Sequence, residues 1–127
     1  MENMNRLDTI QQRENLNCIY RTGEPGPGGA YHDYDIYPDD CALIETEIPM
    51  ACIEFQRGPR KDPESRHGIT DQDLLEIVRD RLIAFCAGPM TNAETERALG
   101  HVEAALHHLN KRVEDRIKRN VLGTMEK

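Results

Sequence analysis

Two helix-length amphipathic segments joined at Gly88-Pro89 occupy the last third of the chain, and they constrain its fold more than any other feature. The first, Thr70 to Phe85, opens on a capping-box pattern, Thr70-x-x-Asp73, and carries Leu74, Leu75, Ile77, Val78, Leu82 and Phe85 at helical spacing. The second opens at Thr91-x-x-Glu94 and sets Leu99, Val102, Leu106, Leu109, Val113 and Ile117 at steps of three and four. That stripe is the contact face of a long helix packed against a neighbour. Beside it, Arg112, Arg116 and Arg119 follow i, i+4, i+7 and share one helix face. Cations near a helix C-terminus complement the macrodipole and usually sit in solvent. The other reading is an anionic ligand, since stacked guanidinium groups are unusual in an acidic protein.

The chain has 127 residues, enough for one domain plus a tail with a modest core. Its formal net charge of −7 argues against polymeric nucleic acid as a partner, because a basic surface supplies that affinity. The charge is uneven, however. Between Ala30 and Glu54 lie seven acids and no Lys or Arg, whereas Lys111 to Arg119 holds five bases against Glu114 and Asp115. A small polyanion in a local basic pocket is compatible with that distribution. No apolar run approaches the roughly 20 residues of a membrane helix, so no membrane partner is expected. Cys18, Cys41, Cys52 and Cys86 show no paired metal or redox spacing, and no signal peptide precedes them, so reduced thiols are expected.

Residues 1 to 22 are polar and weakly patterned; Leu7, Ile10 and Glu14 allow a short helix, and a flexible arm fits equally. The run Gly23-Glu-Pro-Gly-Pro-Gly-Gly29 excludes regular structure and reads as a linker stiffened by two prolines. It lacks the Lys-Ser/Thr and the preceding strand of a phosphate loop. Tyr31 to Tyr37 alternates as a strand, Pro38-Asp39-Asp40 is turn chemistry, and Pro49 to Gln56 gives a second strand. A loop rich in Arg57, Arg60, Lys61 and Arg66 follows. The expected architecture is α+β: a polar arm and Gly/Pro linker over 1–29, then a ligand-binding domain over 30–127. That domain divides into a small antiparallel β unit, 30–60, and a long antiparallel helical hairpin, 68–120.

No catalytic or metal constellation emerges. His101 and His108 can share a face, but His107 lies about 100° from His108, and no His-x-x-x-His pair or matched carboxylates accompany them. Cys86 sits near the C-terminus of the first helix, where the macrodipole disfavours thiolate. With no Ser-His-Asp grouping or close acidic pair, no enzyme activity, metal or cofactor is expected.

From Ile53 onward the chain resembles the phage Thoeris anti-defence sponge family, type one, whose helical hairpin domain is shared with anti-CBASS cyclic-nucleotide sponges. The matching residues are Phe55-Gln56-Arg57-Gly58-Pro59, Gly68 through Leu82, Phe85-Cys86-Ala87-Gly88-Pro89, Glu103 through Leu109, then Arg112, Asp115-Arg116, Arg119 and Gly123-Thr124. Gly28-Gly29-Ala30-Tyr31-His32 is similar to the start of the family's β unit. The resemblance implies a viral protein in the cytoplasm of the infected bacterial host. Such a protein binds cyclic nucleotide immune messengers without degrading them: glycocyclic ADP-ribose isomers and, in some members, cyclic di- or trinucleotides. It implies a homodimer, assembled in some members into a hexamer. By the same resemblance Phe85 stacks the ligand, Arg112 and Arg116 face its phosphates and riboses, and Thr95 stands where the family usually has asparagine. A threonine hydroxyl cannot give an amide's paired contacts.

Spacing independently favours a site shared between chains. Thr95 and Arg112 lie 17 residues apart on one helix, about 25 Å at about 1.5 Å per residue. Two hairpins packed antiparallel would bring Arg112 and Arg116 of one chain to Phe85 and Thr95 of the other. Gln56 and Arg57, at the end of the second strand, are placed to close such a pocket, and Arg119 extends its basic side. Two other readings compete: a non-enzymatic phage hairpin that binds only protein, and a phosphodiesterase or glycohydrolase, for which no base, nucleophile or metal set is present.

Overall fold

The structure, a computed structural model, describes residues 4–26, 28–38 and 48–127. It falls into two compact units, 1–68 and 69–127. The first contains a four-stranded antiparallel sheet: β1 (Met4–Arg6), β2 (Asn17–Thr22), β3 (Asp33–Pro38) and β4 (Ala51–Glu54), paired in chain order. The second contains α1 (Asp71–Ala87) and α2 (Ala93–Lys118). This is the α+β architecture expected, with a helical hairpin following an antiparallel sheet.

The first 22 residues correct the expectation of a short helix or flexible arm. They supply two strands, with Met4 opposite Thr22 and Cys18 opposite Tyr37. The alternation in Asn17–Thr22 puts Cys18 and Tyr20 on one face and Ile19 and Arg21 on the other. Strand formation here comes from pairing with β3, a long-range effect that local patterning does not announce. The sheet has a small core. Cys18 and Tyr37 are 2% and 7% exposed. Edge-to-face ring pairs, Tyr20–Tyr37 at 6.0 Å and Tyr34–Phe55 at 5.7 Å, fill one face each. Cys18 is disulfide-bonded, against the expectation of reduced thiols, while Cys52 and Cys86 are free; its register beside Tyr37 holds the sulphur inside the sheet unit. Of the turn expected at Pro38-Asp39-Asp40, residues 39 and 40 lie outside the described residues.

α1 starts where the sequence indicates. The Thr70 hydroxyl accepts from the Asp73 N–H at 3.2 Å while the Asp73 carboxylate accepts from the Thr70 N–H at 2.9 Å, a reciprocal box that satisfies two orphan donors. α2 starts one residue later than the Thr91-x-x-Glu94 pattern indicates. Asn92 is its cap, the carboxamide oxygen accepting from the Thr95 N–H at 3.0 Å. Asparagine is as good a cap as threonine, and here the nearer residue to the helix takes the role. The two helices run antiparallel, fixed in register by Arg79 of α1, whose Nε donates to Glu103 of α2 at 2.8 Å.

The apolar residues of α1 separate into two strips. Leu75, Leu82 and Cys86, in line with Arg79, are half-buried toward α2. Leu74, Ile77, Val78, Arg81 and Phe85 fall within about 100° of arc on an adjacent face. On that face Ile77, Val78 and Phe85 are exposed, Ile77 by 59%. On α2, Leu99 through Val113 of the stripe are half-buried and Ile117 is exposed.

Candidate functional site

The sequence-indicated site residues lie on both units and divide into engaged and unengaged groups. Gln56, just after β4, uses both ends of its amide on the local backbone: Nε2 donates to the Gly58 carbonyl and Oε1 accepts from the Gly68 N–H, both at 3.2 Å. Arg57 exchanges two backbone hydrogen bonds with Arg66 at 2.8 and 2.9 Å, and its side chain reaches the Glu24 carbonyl at 3.5 Å. These residues tie off the loop after β4. Arg66 supports the same corner, donating to the Phe55 carbonyl at 2.9 Å and pairing with Asp33 at 3.0 Å.

On the hairpin, Phe85 lies near the tip and is 48% exposed. Arg81, one turn earlier, holds its guanidinium carbon 5.4 Å from the Phe85 ring centroid, a cation–π contact worth about 0.5–1 kcal/mol when exposed. Thr95 occupies the third position of α2, its N–H committed to the Asn92 cap and its side chain half-buried. Arg112 is exposed and has no hydrogen-bond or ion-pair partner among the described residues.

The arginine ladder therefore does not present three equivalent groups. Arg119 pairs with Asp115 at 2.9 Å and donates to the Lys127 carbonyl at 2.6 Å. Arg116 is 7% exposed. Its Nη2 donates to the carbonyls of Val121 at 3.0 Å and Thr124 at 2.9 Å, and its Nη1 donates to that of Glu126. Of the three, Arg112 alone has an unengaged fork of donors among the described residues.

Counting from the Arg79–Glu103 register, Phe85 and Arg112 stand fifteen residues apart along the hairpin, about 22 Å at about 1.5 Å per residue. One chain does not bring them together.

Sequence reasoning missed the open cleft between the helices, about 480 Å³, whose walls include Thr70, Glu76, Arg79, Glu103, His107 and Asn110. Its size would suit a ligand, but its charge would not suit an anion. Arg79 is already held by Glu103 and Glu76, hydrogen bonds that raise its pKa above the ordinary arginine value. An incoming phosphate would meet two carboxylates and one committed guanidinium. The i, i+3 spacing of Glu76 and Arg79 was the available signal; the cross-helix partner Glu103 was not. Among the described residues no group of three or more His, Cys, Asp or Glu side chains is placed to hold a metal, and no helix is long and apolar enough to cross a membrane.

Comparison with known proteins adds two findings. A family model described as the Acb2/Tad1 hairpin domain matches residues 50–114. The chain is also 36% identical over 78 residues to Thoeris anti-defense 1 of Bacillus phage SBSphiJ7, a match covering 61% of this chain and 54% of that protein. The match thus spans about half the length of that curated relative.

Proposed function

The chain belongs to the Acb2/Tad1 hairpin-domain family, and on that premise we propose that it is a phage anti-defence protein: a sponge that captures cyclic nucleotide immune messengers and releases them unaltered. Its cargo is a glycocyclic ADP-ribose isomer, with cyclic di- and trinucleotides as the related class. It acts in the cytoplasm of the infected bacterial host, without cofactor and without chemistry on the ligand.

One observation carries the reading. Phe85 keeps one ring face open beyond its Arg81 contact, Arg112 is an unpaired guanidinium among the described residues, and the two lie at opposite ends of the hairpin. An antiparallel pair of hairpins brings each to the other across a two-fold axis, so a dimer carries two composite sites. The exposed strip of Ile77, Val78 and Phe85 supplies apolar surface for that pairing. In such a site an adenine stacks on the Phe85 face opposite Arg81, worth about 1–3 kcal/mol. The Arg112 fork takes a diphosphate bidentately. Thr95 offers one hydroxyl to a ribose or base edge.

The test is to incubate the protein with glycocyclic ADP-ribose isomers and cyclic di- and trinucleotides, then denature it, following each ligand by chromatography throughout. Depletion followed by intact recovery is the expected result and names the cargo. Chemically altered ligand would identify an enzyme. No depletion of any ligand would leave a hairpin that binds only protein, with the same exposed strip as its contact surface.

A further inference from the structure

We infer that Arg116 is a clasp for the C-terminal tail, residues 121–127, and influences messenger binding only through the order it imposes on that tail. The inference rests on the sponge reading for its second half; its first half stands on the hairpin unit alone.

Helix α2 ends in a Schellman motif. Asn120 is left-handed, with φ of 57°; the Asn120 N–H donates to the Ile117 carbonyl and the Val121 N–H to the Arg116 carbonyl, both at 3.0 Å. The chain reverses there and turns again at Gly123, whose φ is 82°. That double reversal carries the carbonyls of Val121, Thr124 and Glu126 back over the last turn, where the Arg116 side chain meets all three. Arg116 thus accepts with its backbone and donates with its side chain to the same tail.

The geometry leaves little for an anion. A guanidinium clamps an oxyanion along one of two bidentate edges, Nε with Nη2 or Nη1 with Nη2. Both edges need an Nη2 hydrogen, and both Nη2 hydrogens go to the Val121 and Thr124 carbonyls. Being 7% exposed, the group is also out of a ligand's reach. Arg112, one turn earlier and exposed, is in the opposite condition. Two arginines at i and i+4 therefore do different work: Arg112 is offered to a ligand, and Arg116 is a positioning residue. Val121 and Leu122 are half-buried and Arg119 donates to the Lys127 carbonyl, and to these holds Arg116 adds three charge-assisted hydrogen bonds on the tail's carbonyls.

The test uses the full chain with two substitutions, Arg116→Ala and Gly123→Pro. Proline cannot adopt φ of 82°, so the second variant disrupts the tail while leaving the Arg116 guanidinium in place. Hydrogen exchange is read on the peptide 120–127, with the peptide 93–110 as a check that α2 stays folded, and affinity is measured for a glycocyclic ADP-ribose isomer. In both single variants tail exchange should accelerate about tenfold or more while 93–110 is unchanged. Both should lose affinity by similar factors, and the double variant should be no weaker than the weaker single. Unchanged tail exchange in Arg116→Ala would overturn the clasp. Affinity losses that multiply in the double variant would overturn the positioning role, because Arg116 would then act on the ligand with the tail already gone. Should the unsubstituted chain bind none of the probe, the sponge reading falls, and tail exchange still decides the clasp.

Discussion

The sheet unit and the hairpin unit bury their side chains in opposite ways. The sheet has a small core of its own: Cys18 and Tyr37 are inside, four rings meet edge to face, and three strand pairings fix the register. The hairpin has the longer elements, 17 and 26 residues, and yet buries no apolar side chain. Its one buried side chain is Arg116, a charged group held by backbone carbonyls. Two helices can cover only the strip along their mutual contact, so a second apolar strip on α1 has nothing within the hairpin to cover it. The sheet thus has a core within its own unit, whereas the hairpin leaves an apolar strip open.

The most forceful way to break this comparison is to charge the uncovered strip. Ile77→Glu puts a carboxylate at a position 59% exposed in the single chain. A free surface would tolerate it within about 0.5 kcal/mol; an interface would not. We expect light scattering after gel filtration to show the assembly falling to single-chain size, with the near-ultraviolet tyrosine signal of the sheet unmoved. An unchanged mass would mean that the strip is not the contact surface.

Gly68→Ala attacks the other unit. A Cβ at Gly68 would lie 2.5 Å from both the Glu54 carbonyl oxygen and the Phe55 carbonyl carbon. Both are backbone atoms, so the strand end itself must move. Overpacking of this kind costs about 1–3 kcal/mol. The sheet's tyrosine signal should melt several degrees earlier while the helical signal holds. Melting of both together would show that the two units do not hold their stability separately.

Arg112→Ala sharpens the comparison without touching either fold. The side chain has no partner among the described residues, so thermal stability should stay within about 0.5 kcal/mol. Removing a bidentate charge-assisted contact should weaken messenger binding by about 2 kcal/mol, roughly 30-fold in Kd. Titration calorimetry on a folded variant checks it, and unchanged affinity would move the site elsewhere.

The same contrast explains what could be read from the sequence. Helices carry local signatures: the Thr70–Asp73 box set the start of α1, and the three-and-four spacing gave α2 its contact stripe. The start of α2 slipped by one residue because Thr91 and Asn92 are both competent caps, and only the fold decides between them. β3 was legible from the alternation of 31–37 and β4 from the apolar run of 49–56, though its phase was not regular, whereas β1 and β2 exist through pairing with distant partners. At the candidate site, the spacing of Arg112, Arg116 and Arg119 correctly put them on one face. It could not reveal that Arg116 is taken up by carbonyls of the tail, because backbone acceptors have no sequence signature. The six apolar positions read at helical spacing in α1, Leu74 to Phe85, likewise gave no sign that they divide into a covered strip and an open one.

The smallest expected effect separates the two units by pH. Tyr37 in the sheet keeps its proton above the ordinary value of 10.0, chiefly because it is buried, with the charges of Asp35, Cys52 and Tyr20 adding to the shift. A folded-state pKa above the unfolded one means that the native state holds its proton more tightly. The resulting stability is fully present below about pH 10 and is lost as pH rises from there through the raised value. The buried group of the hairpin is Arg116, held by backbone carbonyls rather than by packing in an apolar core. The melting temperature followed by the tyrosine signal should therefore fall as pH rises above about 10, and Tyr37→Phe should flatten part of that fall. The helical signal should decline less over the same interval. A Tyr37→Phe variant with an undiminished decline would assign the effect to other groups and would remove titration from the differences between the sheet with its small core and the open hairpin.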